Sequence, residues 1–88
     1  MRINFTTQIW QEGNLFVSYA PELDISSCGK TVEEAEAHLQ EAVEGFVEAA
    51  QDRGTLEEVL EEAGFTRQPD TSWSPRQVLA TQRMHLAI

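Results

Sequence analysis

The sequence predicts an α+β fold, a single βββααβ layer. A four-stranded, mostly antiparallel sheet would carry one long helix on a face. Three observations point there. Apolar residues alternate with period two from Ile3 to Ile9, and two further short strand-like runs, separated by turn residues, follow as far as Cys28. The period changes to 3.6 after Thr31 and returns to two from Val78. Eighty-eight residues have room for one core, so the chain reads as a single domain, residues 1–88.

The first strand spans residues 2–10, where Ile3, Phe5, Thr7 and Ile9 alternate with Arg2, Asn4, Thr6 and Gln8. Glu12-Gly13-Asn14 is the turn, with Gly and Asn suited to positive φ. Residues 15–20, Leu-Phe-Val-Ser-Tyr-Ala, form the second strand. It is apolar on both faces and is therefore expected to be central or covered on both sides. Pro21-Glu22 breaks it. A shorter third strand covers residues 23–28 and closes at Gly29.

Thr31 and Glu34 form a T-x-x-E capping box at the start of a long helix. Val32, Ala35, Leu39, Ala42, Val43, Phe46, Val47 and Ala50 fall on one stripe, and glutamates fill the other faces. Gly45 costs this helix about 1 kcal/mol relative to alanine, so a close approach to the sheet is expected there. Arg53 suits the last turn and Gly54 a left-handed stop. Thr55 and Glu58 open a second capping box, followed by an apolar stripe of Leu56, Val59, Leu60 and Ala63. Gly64 fits the position after a helix end, with Phe65 packing back on Leu60. Residues 66–76 read as a polar loop holding Trp73. The fourth strand runs from Val78 to Ile88 and is expected at a sheet edge, most simply beside the first.

Fifteen acids against six Lys and Arg give a net charge of -9 and a pI near 4.4. Residues 31–64 hold eleven acids and one base, net -10, so the acidity belongs to the helical layer. Binding to phosphate rests on Lys and Arg displacing counterions, so neither direct nucleic-acid binding nor binding to an anionic membrane is expected. Basic proteins are the favoured partners. Cys28 is alone, which excludes an intramolecular disulfide and a cysteine-based zinc cluster within one chain. No apolar run is long enough to span a membrane, and Met-Arg-Ile-Asn-Phe is not a secretory leader, so a cytoplasmic setting is expected.

Catalytic patterns are sparse. A nuclease of RNase H type needs several carboxylates converging on Mg²⁺, and only Asp24 is an acid on an expected strand. His38 follows Glu34 by four residues on a helix, the spacing of an exposed charge pair. His85 has no second histidine beside it for a metal site. Ser18, Ser26, Ser27 and Cys28 lack a nucleophile elbow or a nearby histidine, and Cys28 is expected as a small half-buried residue. Gly29-Lys30-Thr31 lacks the rest of a phosphate-binding loop and reads as a strand-to-helix turn. The expectation is a protein that is not an enzyme and carries no cofactor and no metal.

The stretch Phe16-Val17-Ser18-Tyr19-Ala20-Pro21-Glu22-Leu23-Asp24, followed by Gly29-Lys30-Thr31-Val32-Glu33-Glu34-Ala35, resembles the HicB-like antitoxin family. The resemblance covers residues 3–53. It implies a partial RNase H-like α/β layer in a toxin–antitoxin system, where the antitoxin masks a small basic HicA-type toxin that cleaves mRNA. The chain departs from the family in two places. Asp24-Ile25-Ser26-Ser27-Cys28 replaces the family's frequent Pro-Gly-Cys turn. The twenty-four residues after Gly64 read as one loop and one strand, not as a DNA-binding segment.

Phe16, Tyr19 and Trp73 are the candidate apolar contacts with a partner, and Glu44 and Glu48 the candidate acidic ones. Trp73 has two readings, an interface residue or a lid on the core. The acidic helix face is either solvated or a dock for a basic partner. With one helix on one sheet face, a homo-oligomer is expected through the open face or through edge pairing of a terminal strand. The alternative function is a stand-alone homo-oligomeric domain with a ligand-binding or enzymatic role.

Overall fold

The period-two alternation and the Gly13 turn produce a hairpin, and the computed structural model describes it together with the rest of residues 1–88. Strand β1 is Gln8–Glu12, β2 is Leu15–Ala20 and β3 is Ile25–Gly29. Helix α1 spans Val32–Arg53 and α2 spans Leu56–Glu62. Two short strands follow, β4 at Thr66–Arg67 and β5 at Trp73–Ser74. The fold is α+β. A three-stranded antiparallel sheet of order β1-β2-β3 carries α1, and β4 and β5 form a small second sheet.

Gly13 takes a positive φ of 59° at the first turn position and Asn14 does not, the pattern of a II′ hairpin. The register pairs Glu12 with Leu15 and Gln8 with Tyr19, then Phe16 with Gly29 and Ala20 with Ile25. Phe16, Ser18 and Ala20 therefore share a face with Ile9, Ile25 and Gly29, and α1 packs on that face. Ser18 and Ala20 are fully buried there. Tyr19, Val17 and Leu15 share the opposite face with Trp10 and Cys28, and no element covers it. β2 is thus central but covered on one side only.

The capping box forms with one change. The Thr31 hydroxyl accepts from the Glu34 amide at 3.0 Å, while the Glu34 carboxylate reaches the Lys30 amide at 3.3 Å, one residue beyond the cap. Gly54 ends α1 at φ 71°, its amide bonded to Ala50 and Gln51 carbonyls. Thr55 makes no side-chain cap to α2; its hydroxyl donates back to the Ala50 carbonyl at 3.4 Å. Gly64 takes φ 89°, and the Phe65 amide bonds the Leu60 carbonyl at 2.9 Å, which lays Phe65 against Leu60.

The core has two parts. Ala20, Leu39 and Val43 lie between sheet and helix. Ala50, Leu56, Leu60, Phe65 and Trp73 lie at the α2 end. Phe5, Leu23 and Val47 pack against both and join them. Trp73 takes the lid position, 3% exposed.

Several expectations need correction. The stretch expected as a polar loop over residues 66–76 holds β4 and β5, and the third strand, expected over residues 23–28, begins at Ile25. The first strand was expected over residues 2–10, but regular pairing begins at Gln8; Ile3 makes an isolated parallel bridge to Trp73 instead. The sheet has three strands, not four: Val78–Ile88 is exposed, lies in no helix or strand and joins no sheet. The physical reason is Pro75. Trp73 donates to the Arg2 carbonyl at 2.8 Å and accepts from the Asn4 amide at 2.9 Å. The next rung would need an amide at position 75, and proline has none. The Thr6 amide turns instead to the Glu22 carboxylate at 2.9 Å. Finally, Gly45 approaches nothing; a Cβ there would have no neighbour within 4 Å.

The loop before β5 is held by Asp70. Its Oδ1 accepts from the Ser72 amide at 3.0 Å and the Ser72 hydroxyl at 2.6 Å, and its Oδ2 meets Arg2 at 3.3 Å. The Ser72 hydrogen bonds, with a smaller contribution from the Arg2 charge, hold its carboxyl below the ordinary aspartate range.

Two predictions follow from these environments. Gly29→Ala and Gly45→Ala should act with opposite signs. A Cβ at Gly29 would sit 2.5 Å from the Ala35 amide nitrogen, so backbone must shift. Overpacking of this kind costs about 1–3 kcal/mol. Gly45→Ala should stabilise by about 0.5–1 kcal/mol, since an exposed helical glycine only adds chain entropy to be lost. Urea unfolding of the two variants reads both. Asp70, whose folded pKa is depressed, contributes stability that is present above the unfolded aspartate pKa of about 3.9 and lost as pH falls through the lower folded value. The stability gap between wild type and Asp70→Asn at neutral pH should therefore close in acid.

Candidate functional site

The uncovered face of the sheet is built by alternation on β1 and β2. Residues two apart on a strand point the same way, so Trp10 stands beside Glu12, and the register places Tyr19 diagonally across from Trp10. Their rings meet edge to face, with centroids 6.2 Å apart and planes at 68°. Leu15 and Val17 continue the apolar surface along β2. Trp10 is 41% exposed and Leu15 44% exposed.

Both aromatic side chains have their polar tips tied to carboxylates. The Trp10 indole donates to Glu12 Oε1 at 2.9 Å. The Tyr19 phenol donates to Asp24 Oδ1 at 2.8 Å. Asp24 can turn back toward Tyr19 because it adopts φ 54°, a left-handed conformation that aspartate tolerates better than most residues. The result is an aromatic floor with an acidic rim. The hydrogen bond to Asp24, desolvation, and then the Asp24 charge all push the Tyr19 phenol above its ordinary pKa.

The five residues singled out from the sequence do not form one site. Tyr19 lies on the open face. Phe16 lies on the helix-covered face, half-buried. Trp73 is buried in the core. Glu44 and Glu48 stand on α1 at the rim of a groove of about 360 Å³ between the helix and the N-terminal segment, with Ile3, Phe5, Val43 and Val47 beneath. Trp10 is the residue the site adds. Its signal was in the strand alternation, which sets Trp10 in phase with Gln8 and Glu12 on the otherwise polar side of β1.

Around the helices the acidity is largely uncompensated. Of the eleven acids in residues 31–64, only Glu57 has an ion-pair partner, Arg67 at 3.5 Å. His38 is not paired with Glu34; its Nδ1 lies 2.7 Å from the Cys28 carbonyl and ties α1 to β3. Cys28 is exposed beside Val17, not half-buried. The Ser18 hydroxyl is buried and makes no hydrogen bond to another protein group. No three His, Cys, Asp or Glu side chains are grouped as a metal ion would require. No helix is long and apolar enough to cross a membrane.

Tyr19 is the single tyrosine, so its phenolate absorbance reports this site alone. An acid whose folded pKa is raised keeps its stabilising bond below the unfolded pKa of about 10 and loses it as pH climbs through the folded value. The titration midpoint should lie above that of free tyrosine. Asp24→Asn keeps a residue that accepts positive φ and removes the charge, so the midpoint should move down toward the ordinary value. An unmoved midpoint would mean that Asp24 does not hold the phenol in solution.

Comparison of the chain with models of protein families, with curated proteins and with solved structures returns no match.

Proposed function

We propose that the chain is a non-catalytic protein-binding module, of the kind the HicB-like resemblance implies, that masks a small basic mRNA-cleaving toxin. The observation that supports this reading most is the open aromatic face with carboxylates at its rim, Trp10 with Glu12 and Tyr19 with Asp24. Arginine and lysine are recognised by such a surface in two ways at once. The ring faces attract the cation through their quadrupoles, and the carboxylates accept its hydrogen bonds. A protein that binds RNA must present such cations to phosphate.

The helical layer has a different part. Its unpaired glutamates lie on the opposite side of the molecule from the aromatic face, so they act at long range. They attract a basic partner and speed its encounter without contacting it at the end. The aromatic contacts then set how long the complex lasts. Masking performs no bond chemistry; it denies RNA the toxin's basic surface.

The experiment is to read the flanking genes for a short frame encoding a small basic protein, whose absence would count against the antitoxin reading, and to assay RNA cleavage by that protein with increasing amounts of the chain. Cleavage should stop near equimolar chain in low salt. Trp10→Ala with Tyr19→Ala should weaken inhibition through faster dissociation. Glu36→Gln with Glu41→Gln should slow association only. Association should also slow with salt, as the screening length falls from about 30 Å at 0.01 M to about 8 Å at 0.15 M. Unchanged cleavage at a molar excess of the chain in low salt would remove the antitoxin reading.

A further inference from the structure

We propose that Val78–Ile88 is an exchange arm that adds as a strand to the outer edge of β1 in a second copy of this chain. The arm has the sequence of a strand and none of its partners. Val78, Met84, Leu86 and Ile88 share one side with Ala80 and Gln82, and each of those four is at least 71% exposed. Contiguous apolar surface of this kind on a single chain marks an interaction site. The ladder that would have drawn the arm back into its own body stops at Pro75. Beyond it the Arg76 guanidinium lies over Gly64 and donates to the Ala63 carbonyl at 3.3 Å, which directs the chain away from β1. The radius of gyration is 15.2 Å. A compact chain of this length would have about 12 Å.

The acceptor we assign is an edge of the three-stranded sheet. β1 and β3 are the two edge strands. At β3, the Cys28 carbonyl is already engaged by His38 and α1 lies alongside. At β1, a II′ hairpin turns alternate amides outward, those of Ile9 and Gln11, and no strand meets them. α1 packs mainly on β3 and β2 and touches β1 little, so the helix side of β1 is the least covered part of the sheet. A strand added at this edge would place every second side chain beside Ile9 on the helix side of the sheet, which suits the apolar side of the arm. The other side carries Leu79, Arg83 and His85, and it would lie with Trp10 and Glu12.

Charge selects the same pairing. Residues 1–74 contain all fifteen acids and four of the six bases, net -11, whereas residues 75–88 contain Arg76 and Arg83 and no acid, net +2. Glu12 ends β1, the assigned acceptor. A second copy offers both halves of the interaction again, so the exchange is reciprocal and closes as a twofold dimer.

The test is light scattering of the 88-residue chain across a concentration series, with amide exchange on the same samples. The expected mass is twice 9.9 kDa. The Ile9 and Gln11 amides, without partners in a single chain, should be protected in the dimer. Met84→Lys with Leu86→Lys should give a monomer and release both amides. These positions lie outside the core, so unchanged helical circular dichroism will show that the body is intact. A wild-type monomer would overturn the proposal, including one with protected amides, whose arm folds onto its own edge. A dimer that persists with the two lysines would overturn it as well, by placing the interface elsewhere.

Discussion

The first turn of α1 lies directly on the backbone of β3, and the placement of the other elements depends on that contact. Gly29 makes it possible. A side chain there would enter the space of the Glu34 and Ala35 backbone, so only a residue without Cβ lets the strand run straight into a capped helix. Thr31 fixes the direction of entry through its bond to the Glu34 amide. His38 repeats the tie one turn and more along, through the Cys28 carbonyl. Helix and strand are thereby fastened over the β3 side of the sheet.

A helix held on one side of a sheet leaves the other side bare. Beside the N-terminal segment, ahead of β1, a groove remains between Val43 and Val47 on the helix and Ile3 and Phe5. Phe5 and Val47 serve both parts of the core: they bridge the gap between the sheet layer and the cluster around Leu60 and Trp73. The far end of α1 is fixed by Gly54, and α2 follows at once, so Trp73 can cap the cluster while Arg2 and Asn4 hold its backbone.

The two surfaces left over differ in chemistry. The open sheet face combines aromatic rings with carboxylates at short range, an arrangement for contact. The helical layer offers charge without ion-pair partners, an arrangement for attraction at a distance. Like charges at i,i+4, such as Glu44 with Glu48, cost the helix a few tenths of a kcal/mol each. A chain that accepts this cost across two helices keeps a strong field at its surface, where screening and not protein pairing limits its range.

The sequence by itself determined the local elements. The hairpin about Gly13, the cap at Thr31, the stop at Gly54 and the return of Phe65 onto Leu60 all rest on hydrogen bonds and contacts within a few residues, which residue type and spacing suffice to specify. It also determined the two faces of β2, because a period of two leaves no other choice. Which face the helix takes was a tertiary decision, since Leu15, Val17 and Tyr19 are as apolar as Phe16, Ser18 and Ala20. The close approach expected at Gly45 and found at Gly29 was another, because a glycine's space depends on what packs against it. The fate of Val78–Ile88 was decided the same way. Its alternation specifies a strand, but a strand needs an edge, and Pro75 removes the amide that would have joined it to its own.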